Sequence, residues 1–153
     1  MTRVLFVCLG NICRSPIAEA IFADEVEARG LEADYDWDSA GTGGWHEGET
    51  PDPRSIAILA KHGHNWRSRA RKLLVKDLAE FDLLVAMDRS NLADIRGVPG
   101  ADASRIRLLL DGPVSEVPDP YYGGPEGFEK VYQLVRGGVL KLLDELEASR
   151  KSA

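Results

Sequence analysis

The sequence predicts an α/β fold, a single domain in which a four-stranded parallel sheet carries helices on both faces. Short apolar runs rich in β-formers alternate with segments of helical periodicity along the chain. The length of 153 residues matches one domain, and 44% of the residues are hydrophobic, enough to form a core. Strands that alternate with helices favour a parallel sheet, and ligands of such sheets bind beyond the carboxyl ends of the strands.

The first half of the chain predicts two strand–helix units. Residues 4–7 form a continuous apolar run, typical of a strand that is buried on both faces. A helix is expected over residues 16–30, with Ser15 as its N-cap and a glycine at its end. The second strand is expected over residues 34–40, where a glycine-rich turn follows. The second helix is expected over residues 53–63, between a proline and a glycine.

The second half predicts two more strands and two more helices. A third strand covers residues 83–86, and a short helix follows over residues 88–97. The fourth strand is expected over residues 106–110. A proline-rich loop over residues 111–124 then leads to a last helix over residues 125–148, whose apolar side chains recur at helical spacing.

Charge and cysteine content narrow the classes of function. Acidic residues outnumber basic ones by 25 to 19, which argues against a nucleic-acid partner because such proteins neutralise phosphates with a basic surface. No apolar stretch approaches the roughly 20 residues that span a bilayer, so no membrane partner is expected. Cys8 and Cys13 are the only cysteines, too few for a disulfide framework, which favours a cytoplasmic location. A metal site is not expected, since His62 and His64 are more typical of a solvated helix end.

The segment after the first strand carries the strongest chemical signal. Cys8 ends the strand, and the following loop returns to a helix N-terminus, where backbone N–H groups can bind an anion. Arg14 adds a planar fork that matches phosphoryl oxygens, and Ser15 can donate a hydrogen bond to the sulfur. Gly10 and Asn11 tolerate the left-handed backbone that such a loop requires. A buried cysteine beside a capping serine is the simpler interpretation, but these residue types occurring together favour an anion-binding loop.

Four segments along the chain carry a further signal: CLGNICRSP (8–16), DSAGTGGWH (38–46), MDRSN (87–91) and DPYYGG (119–124). Together they resemble one family, the low-molecular-weight protein tyrosine phosphatases. The motif C-x5-R alone is moderately specific, whereas its combination with a late DPYY is highly specific. The resemblance extends over essentially the whole chain and implies one phosphatase domain over residues 1–153, which acts on phosphotyrosine in proteins and needs no cofactor.

The resemblance also implies a role for each residue of the site. Cys8 would attack phosphorus and form a phosphocysteine, Arg14 would bind the phosphoryl oxygens, and Asp119 would act as general acid and then as base. The phosphate-binding amides and the hydrogen bonds that support the loop would come from Leu9, Gly10, Asn11, Ile12, Cys13, Ser15 and Ser39. The walls of the substrate cleft would be Trp45, Tyr121 and Tyr122.

Several positions keep a second interpretation. Asp119 precedes a proline and could simply initiate a turn, and one of the two tyrosines after it is expected to pack inward. Cys13 is expected to be a resolving thiol for Cys8, the alternative being a small buried packing residue. Ser68 stands where many members of the family place a histidine in the network that supports the loop, so the outer part of that network is expected to differ here.

Three other functions are alternatives to a phosphotyrosine phosphatase. An arsenate reductase of related fold needs further cysteines, and none follows Cys13. A protein-arginine phosphatase carries threonine where this loop has Ile12, whose methyl groups suit an aromatic ring better than a guanidinium. A phosphotyrosine-binding module without activity would lack the nucleophile or the acid, and both are present. A tyrosine kinase of the same cell is one candidate substrate.

Overall fold

The computed structural model describes residues 1–121 and 123–152. Within them, strands and helices alternate as expected for an α/β domain. The strands are β1 (Thr2–Cys8), β2 (Tyr35–Gly41), β3 (Leu83–Ala86) and β4 (Ile106–Leu108). The helices are α1 (Arg14–Ala28), α2 (Pro53–Lys61), α3 (Asp77–Glu80), α4 (Arg89–Arg96) and α5 (Pro125–Ser152), and a 3₁₀ turn covers Ala103–Arg105.

The four strands form one parallel sheet in the order β2-β1-β3-β4. This confirms the predicted class and the number of strands. Because β1 lies between β2 and β3, the loop that follows it is surrounded by the loops that follow its two neighbours. Cys8 at the end of β1 is paired in register with Gly41 at the end of β2. The topology therefore brings three connections together at one edge of the sheet.

The core lies on both faces of the sheet, as predicted. Val4 and Phe6 of β1 point into a cluster with α1, α2 and α5, while Leu5 and Val7 point into a smaller cluster with α3 and α4. All four side chains are fully buried. The continuous apolar run of β1 follows from this position, since a strand covered on both faces has no solvent side for polar residues.

The start of α1 corrects the expected N-cap. The helix begins at Arg14, Cys13 occupies the N-cap position without a side-chain cap, and Ser15 lies inside the first turn. The hydroxyl of Ser15 is bonded to Cys8 and Asn11 instead. The tertiary network of the loop thus takes the side chain that local capping preference would use.

The ends of the other elements also differ in detail. The sequence does not predict the helix α3, because four residues give no periodic signal. Asp77 in this helix accepts hydrogen bonds from Leu74 and Arg71. The strand β4 ends two residues early, at Leu108, whereas α5 continues beyond residue 148. Glu147 in its last turns accepts a 2.6 Å hydrogen bond from Tyr35, which attaches this end to the core. In the described part of the chain, no helix has the length and apolarity required to cross a membrane.

Candidate active site

The loop between β1 and α1 folds tightly around the end of the sheet. Asn11 adopts a left-handed conformation with a φ of 57°, whereas Gly10 does not, so only one of the two expected positions uses it. The backbone after β2 runs alongside, where the N–H of Thr42 donates to the carbonyl of Cys8 at 2.9 Å. A Cβ on Gly41 would lie 2.8 Å from a carbonyl oxygen of this loop. The close approach of the two backbones therefore requires glycine at position 41.

A directed set of hydrogen bonds leads to the sulfur of Cys8. The amide nitrogen of Asn11 donates to the hydroxyls of Ser15 at 2.8 Å and Ser39 at 2.9 Å. The amide oxygen of Asn11 accepts from the backbone N–H of Arg71 at 3.0 Å, which fixes the orientation of the amide. The hydroxyl oxygen of Ser15 thus already accepts one hydrogen bond, and its hydrogen can be donated to Sγ of Cys8, 3.0 Å away. This arrangement stabilises negative charge on the sulfur.

A buried carboxyl group anchors the same network from α1. Glu19 accepts hydrogen bonds of 2.6 Å from the hydroxyls of both Ser39 and Ser68. Burial raises the pKa of Glu19, while these two hydrogen bonds act in the opposite direction. Ser68 is therefore part of the support of the loop, although the resemblance leads one to expect a histidine there. The outer part of the network is built from hydroxyl groups.

The guanidinium of Arg14 is held in a fixed orientation at the base of the site. One terminal nitrogen, Nη1, donates to Asp88 at 2.6 Å and to the carbonyl of Val117 at 2.9 Å. Burial disfavours its charge, but Cys8 and Asp88 outweigh that effect and the pKa of Arg14 is raised. Among the described residues, Nε and Nη2 donate no hydrogen bond, and the carboxylate of Asp119 lies 3.7 Å from Nη2. These two nitrogens can thus bind two oxygens of an anion.

Above Cys8 and Arg14 lies a cleft of about 230 Å³. Cys8 is almost inaccessible at its base, whereas the Asp119 side chain is 42% exposed. Trp45 and Tyr121 lie on the rim with 71% and 38% of their surface exposed. Among the described residues, the lining consists of Cys8, Leu9, Gly10, Ile12, Cys13, Arg14, Trp45, His46, Asp119 and Tyr121.

The expected site residues fall into two layers. Leu9, Gly10, Ile12 and Cys13 line the cleft, whereas Asn11, Ser15 and Ser39 are buried in the hydrogen-bond network described above. Tyr122, expected as a second tyrosine wall, lies outside the described residues.

Comparison with known proteins decides the family. The sequence model described as "Low molecular weight phosphotyrosine protein phosphatase" matches residues 3–152. A protein of that name from Schizosaccharomyces pombe is 51% identical over 141 residues, which is 87% of this chain and 90% of the relative. The chain belongs to the low molecular weight phosphotyrosine protein phosphatase family. The alternative of a reductase of related fold is thereby set aside.

Solved structures of the family superpose closely on this chain. The crystal structure of YfkJ from Bacillus subtilis has a TM-score of 0.92 at 43% identity, and the match covers 97% of this chain and 96% of that one. The crystal structure of DARP, a Drosophila arginine phosphatase, has a TM-score of 0.86 at 33% identity, and the match covers 95% of this chain and 98% of that one. The same fold therefore occurs in proteins whose names indicate different phosphorylated amino acids.

Several residues of this family site were not singled out from the sequence. Asp88, which binds Arg14, lies in the motif MDRSN, but its contact with residue 14 spans 74 positions. His46 lies in the second motif, and its ring stands 3.1 Å from where a Cβ of Gly10 would be, so the glycine makes room for it. Its Nδ1 is 2.6 Å from the carboxylate of Glu49. Among the described residues, no group of three or more potential metal ligands is present.

Proposed function

We propose that residues 1–153 form one catalytic unit, a phosphotyrosine-protein phosphatase that hydrolyses aryl phosphomonoesters with Cys8 as nucleophile. One observation carries the proposal: Sγ of Cys8 lies 3.0 Å from a hydroxyl that can donate to it, at the base of a cleft whose rim is aromatic. Arg14 is buried beside it with two nitrogens available for phosphoryl oxygens. This is the arrangement that displacement at phosphorus by a thiolate requires.

The reaction proceeds in two displacements. In the first, the sulfur of Cys8 forms a bond to phosphorus, and the bond from phosphorus to the phenolic oxygen breaks while Asp119 protonates that oxygen. In the second, water attacks phosphorus and gives a proton to Asp119, and the bond from sulfur to phosphorus breaks to release phosphate. Arg14 binds the equatorial oxygens in both transition states, with the loop amides of residues 9–14 as partners.

The remaining residues act by shape and support. Leu9, Gly10, Ile12 and Cys13 bring the loop amides to the phosphoryl group, while Asn11, Ser15 and Ser39 hold the loop and the sulfur. Trp45 and Tyr121 form walls that receive the aromatic ring of the substrate. The supporting observation is the rim itself, where two exposed aromatic side chains face solvent instead of joining the core.

The depth of the cleft favours phosphotyrosine over phosphoserine. Cys8 is 2% exposed, so the phosphoryl group must be carried at the end of a long side chain to reach it. Ile12 lines the cleft with methyl groups, which suit an aromatic ring better than the guanidinium of phosphoarginine. The proposed substrates are tyrosine-phosphorylated proteins of the cytoplasm, and a tyrosine kinase is one candidate among them.

A panel of three phosphopeptides tests the substrate class. Peptides of one sequence that carry phosphotyrosine, phosphoserine or phosphoarginine are incubated with the purified protein in the presence of a chelator, and phosphate release is measured. We expect kcat/KM to be highest for phosphotyrosine. Faster hydrolysis of phosphoarginine would overturn the aryl specificity and favour the alternative noted above.

A series of leaving groups tests the role of Asp119. Removal of a general acid costs roughly 10² to 10⁴ in rate where the leaving group needs a proton. Asp119→Asn should therefore slow phosphotyrosine far more than p-nitrophenyl phosphate, because an acidic nitrophenol departs as its anion. The same loss for every phenol would mean that Asp119 only shapes its loop.

A further inference from the structure

Arg54, in the first turn of α2, connects the two loops of the cleft. Its guanidinium binds the carboxylate of Asp52 through Nε and Nη2, both at 3.0 Å. From there Nη2 donates to the carbonyl of Tyr121 at 2.8 Å, and Nη1 donates to the carbonyl of Gly123 at 3.3 Å. One side chain therefore binds two backbone carbonyls of the segment that carries the proposed acid.

Two aromatic rings fix the plane of the same guanidinium. Its central carbon lies 4.7 Å from the ring centre of Phe128, which is buried at the start of α5, and 5.5 Å from that of Tyr121. Contacts between arginine and aromatic rings at such distances are attractive. Arg54 is therefore held by the core on one side and faces a rim residue of the cleft on the other.

Asp52, the partner of Arg54, is attached to the phosphate-binding loop. Its backbone N–H donates to the carbonyl of Ile12 at 2.8 Å, and the hydroxyl of Ser55 donates to the carbonyl of Cys13 at 3.2 Å. The hydrogen bonds from Arg54 lower the pKa of Asp52, so its carboxylate stays charged. The start of α2 is thus bonded to the loop around Cys8 and, through Arg54, to the loop of residues 119–123.

The path ends at the carboxylate of Asp119. The backbone N–H of Tyr121 donates to Oδ1 of Asp119 at 3.0 Å, and the carbonyl of the same residue is the one that Arg54 binds. The two backbone groups of Tyr121 thus connect the guanidinium to the acid. A change in the position of residue 121 would move Asp119 relative to Cys8.

Direct binding of substrate by Arg54 is a weaker explanation. Nε, Nη1 and Nη2 all donate to acceptors of this protein, and the cleft, as the described residues define it, is not lined by Arg54. An ordinary surface ion pair is also a weaker explanation, because such pairs do not bridge two loops through four acceptor atoms and two rings.

We propose that Arg54 is a positioning residue of this phosphatase. By binding the carbonyls of Tyr121 and Gly123 while paired with Asp52, it sets where Asp119 stands relative to the sulfur of Cys8. The inference rests on the proposed role of Asp119 as general acid. It deepens the proposed function by naming the element that holds the acid loop against the phosphate-binding loop.

Leaving-group dependence separates positioning from stability. Arg54→Met removes the donors and keeps much of the apolar contact, and kcat/KM is measured for phosphotyrosine and for p-nitrophenyl phosphate. We expect a loss of about 10- to 100-fold for phosphotyrosine, of the size that small misplacement of a catalytic group causes. The loss for p-nitrophenyl phosphate should be much smaller. Arg54→Lys should resemble Arg54→Met, because an ammonium cannot reproduce the fork.

Arg29→Met is the matched control. Arg29 also binds two acceptors on different elements, Glu25 and Asp144, and is 30% exposed against 40% for Arg54, but it lies away from the cleft. The Arg29→Met variant should have lower thermal stability, but the ratio of its two kcat/KM values should equal that of the unaltered protein. The proposal is overturned if the Arg54 variants lower kcat/KM equally for both substrates. It is also overturned if Arg29→Met changes the ratio of the two kcat/KM values as much as the Arg54 variants do.

The double variant Asp119→Asn, Arg54→Met identifies which assignment fails. For phosphotyrosine it should be no slower than Asp119→Asn alone, because Arg54 has nothing left to position. Multiplicative losses would overturn the inference while leaving Asp119 as the acid. If Asp119→Asn alone shows no leaving-group dependence, the assignment of the acid fails, and the positioning role of Arg54 falls with it.

Discussion

Asp88 accepts a 2.6 Å hydrogen bond from Nη1 of Arg14 and at the same time caps α4, with its other oxygen 2.7 Å from the backbone nitrogen of Asn91. Asp88, two residues beyond the end of β3, thus orients Arg14, the proposed phosphate-binding residue at the start of α1. Because the arginine side chain is only 3% exposed, its charge depends on this partner more than a surface arginine would. The neighbouring positions of β1 and β3 in the sheet make the contact possible.

Asp88→Asn should weaken catalysis and stability together. Asparagine caps helices as well as aspartate does and keeps an acceptor for Arg14, but it removes the counter-charge. We expect kcat/KM to fall about tenfold and the free energy of unfolding to fall by about 1 to 3 kcal/mol. Steady-state kinetics and urea denaturation measure the two effects.

Asp102→Asn is the control for this change. Asp102 also caps a helical turn and also lies near an arginine, Arg105, at 3.7 Å, but on an exposed surface. Its kcat/KM should equal that of the unaltered protein. If the two variants behave alike, the pairing of Asp88 with Arg14 contributes nothing particular to the reaction.

Cys8→Ser should abolish turnover and leave the fold intact. A serine hydroxyl can keep the hydrogen bond to Ser15 but is not ionised near neutral pH, so no phosphoenzyme forms. The variant should still bind inorganic phosphate, seen as a rise in the unfolding temperature when phosphate is added. Residual phosphatase activity in a preparation free of contaminating enzyme would reject the covalent mechanism.

The sequence predicts the sheet, and also a candidate set of reacting groups, because both depend on local patterns. The apolar run of β1, the residues of β3 and the succession Cys8 to Ser15 are each readable within a few positions. The family resemblance adds Asp119 from a short motif. These parts of the fold agree with the structure because tertiary contacts reinforce the local preference.

Contacts between distant segments could not be predicted in the same way. Ser15 follows a capping pattern, but the network around Asn11 takes its hydroxyl. The sequence does not distinguish Arg54 from other surface arginines, and only the fold brings it to Tyr121, 67 positions away. Ser68 in place of a histidine predicts a different outer network, but not its partner, and the structure shows the hydroxyl of Ser68 bonded to Glu19. Such relationships depend on which loops the topology places side by side.

Gly41→Ala should damage the active-site loop directly. The added Cβ would lie 2.8 Å from the carbonyl oxygen of Leu9 and 2.9 Å from that of Gly43, both rigid backbone atoms, so the loops must separate. A shift of this kind should cost about 1 to 3 kcal/mol of stability. We expect kcat/KM to fall by about 10²-fold, since the loop amides that are proposed to bind phosphate move.

Gly137→Ala provides the comparison for position 41. Gly137 lies in α5 with nothing near its missing Cβ, and alanine favours a helix over glycine by about 1 kcal/mol. That variant should be slightly more stable and fully active. Unchanged kinetics in Gly41→Ala would show that the two backbones tolerate a wider separation than the structure has.

Cys13 is predicted to protect Cys8 from irreversible oxidation, and the protection should depend on pH. Peroxide converts the thiolate of Cys8 to a sulfenic acid with release of hydroxide. The thiolate of Cys13 then displaces hydroxide from that sulfur, forming a disulfide that dithiothreitol reduces. Burial, with smaller contributions from Asp52 and Cys8, raises the pKa of Cys13 to about 12. At pH values below this pKa, the thiolate fraction of Cys13 therefore increases about tenfold for each unit by which the pH is raised.

This pKa gives the prediction its direction. After a fixed dose of peroxide, the unaltered protein should recover a larger fraction of its activity with dithiothreitol at pH 8.5 than at pH 6.5. Both pH values lie below the pKa of Cys13 and are about two units apart, so the thiolate fraction differs between them. Cys13→Ser has no resolving thiol, so its recovery should be low at both pH values, because its sulfenic acid proceeds to sulfinic acid. Intact mass distinguishes the products, a disulfide lacking two hydrogen atoms and a sulfinic acid carrying two added oxygens. Equal recovery in the two proteins at both pH values would show that Cys13 is a packing residue of the loop, in agreement with its burial and with its high pKa.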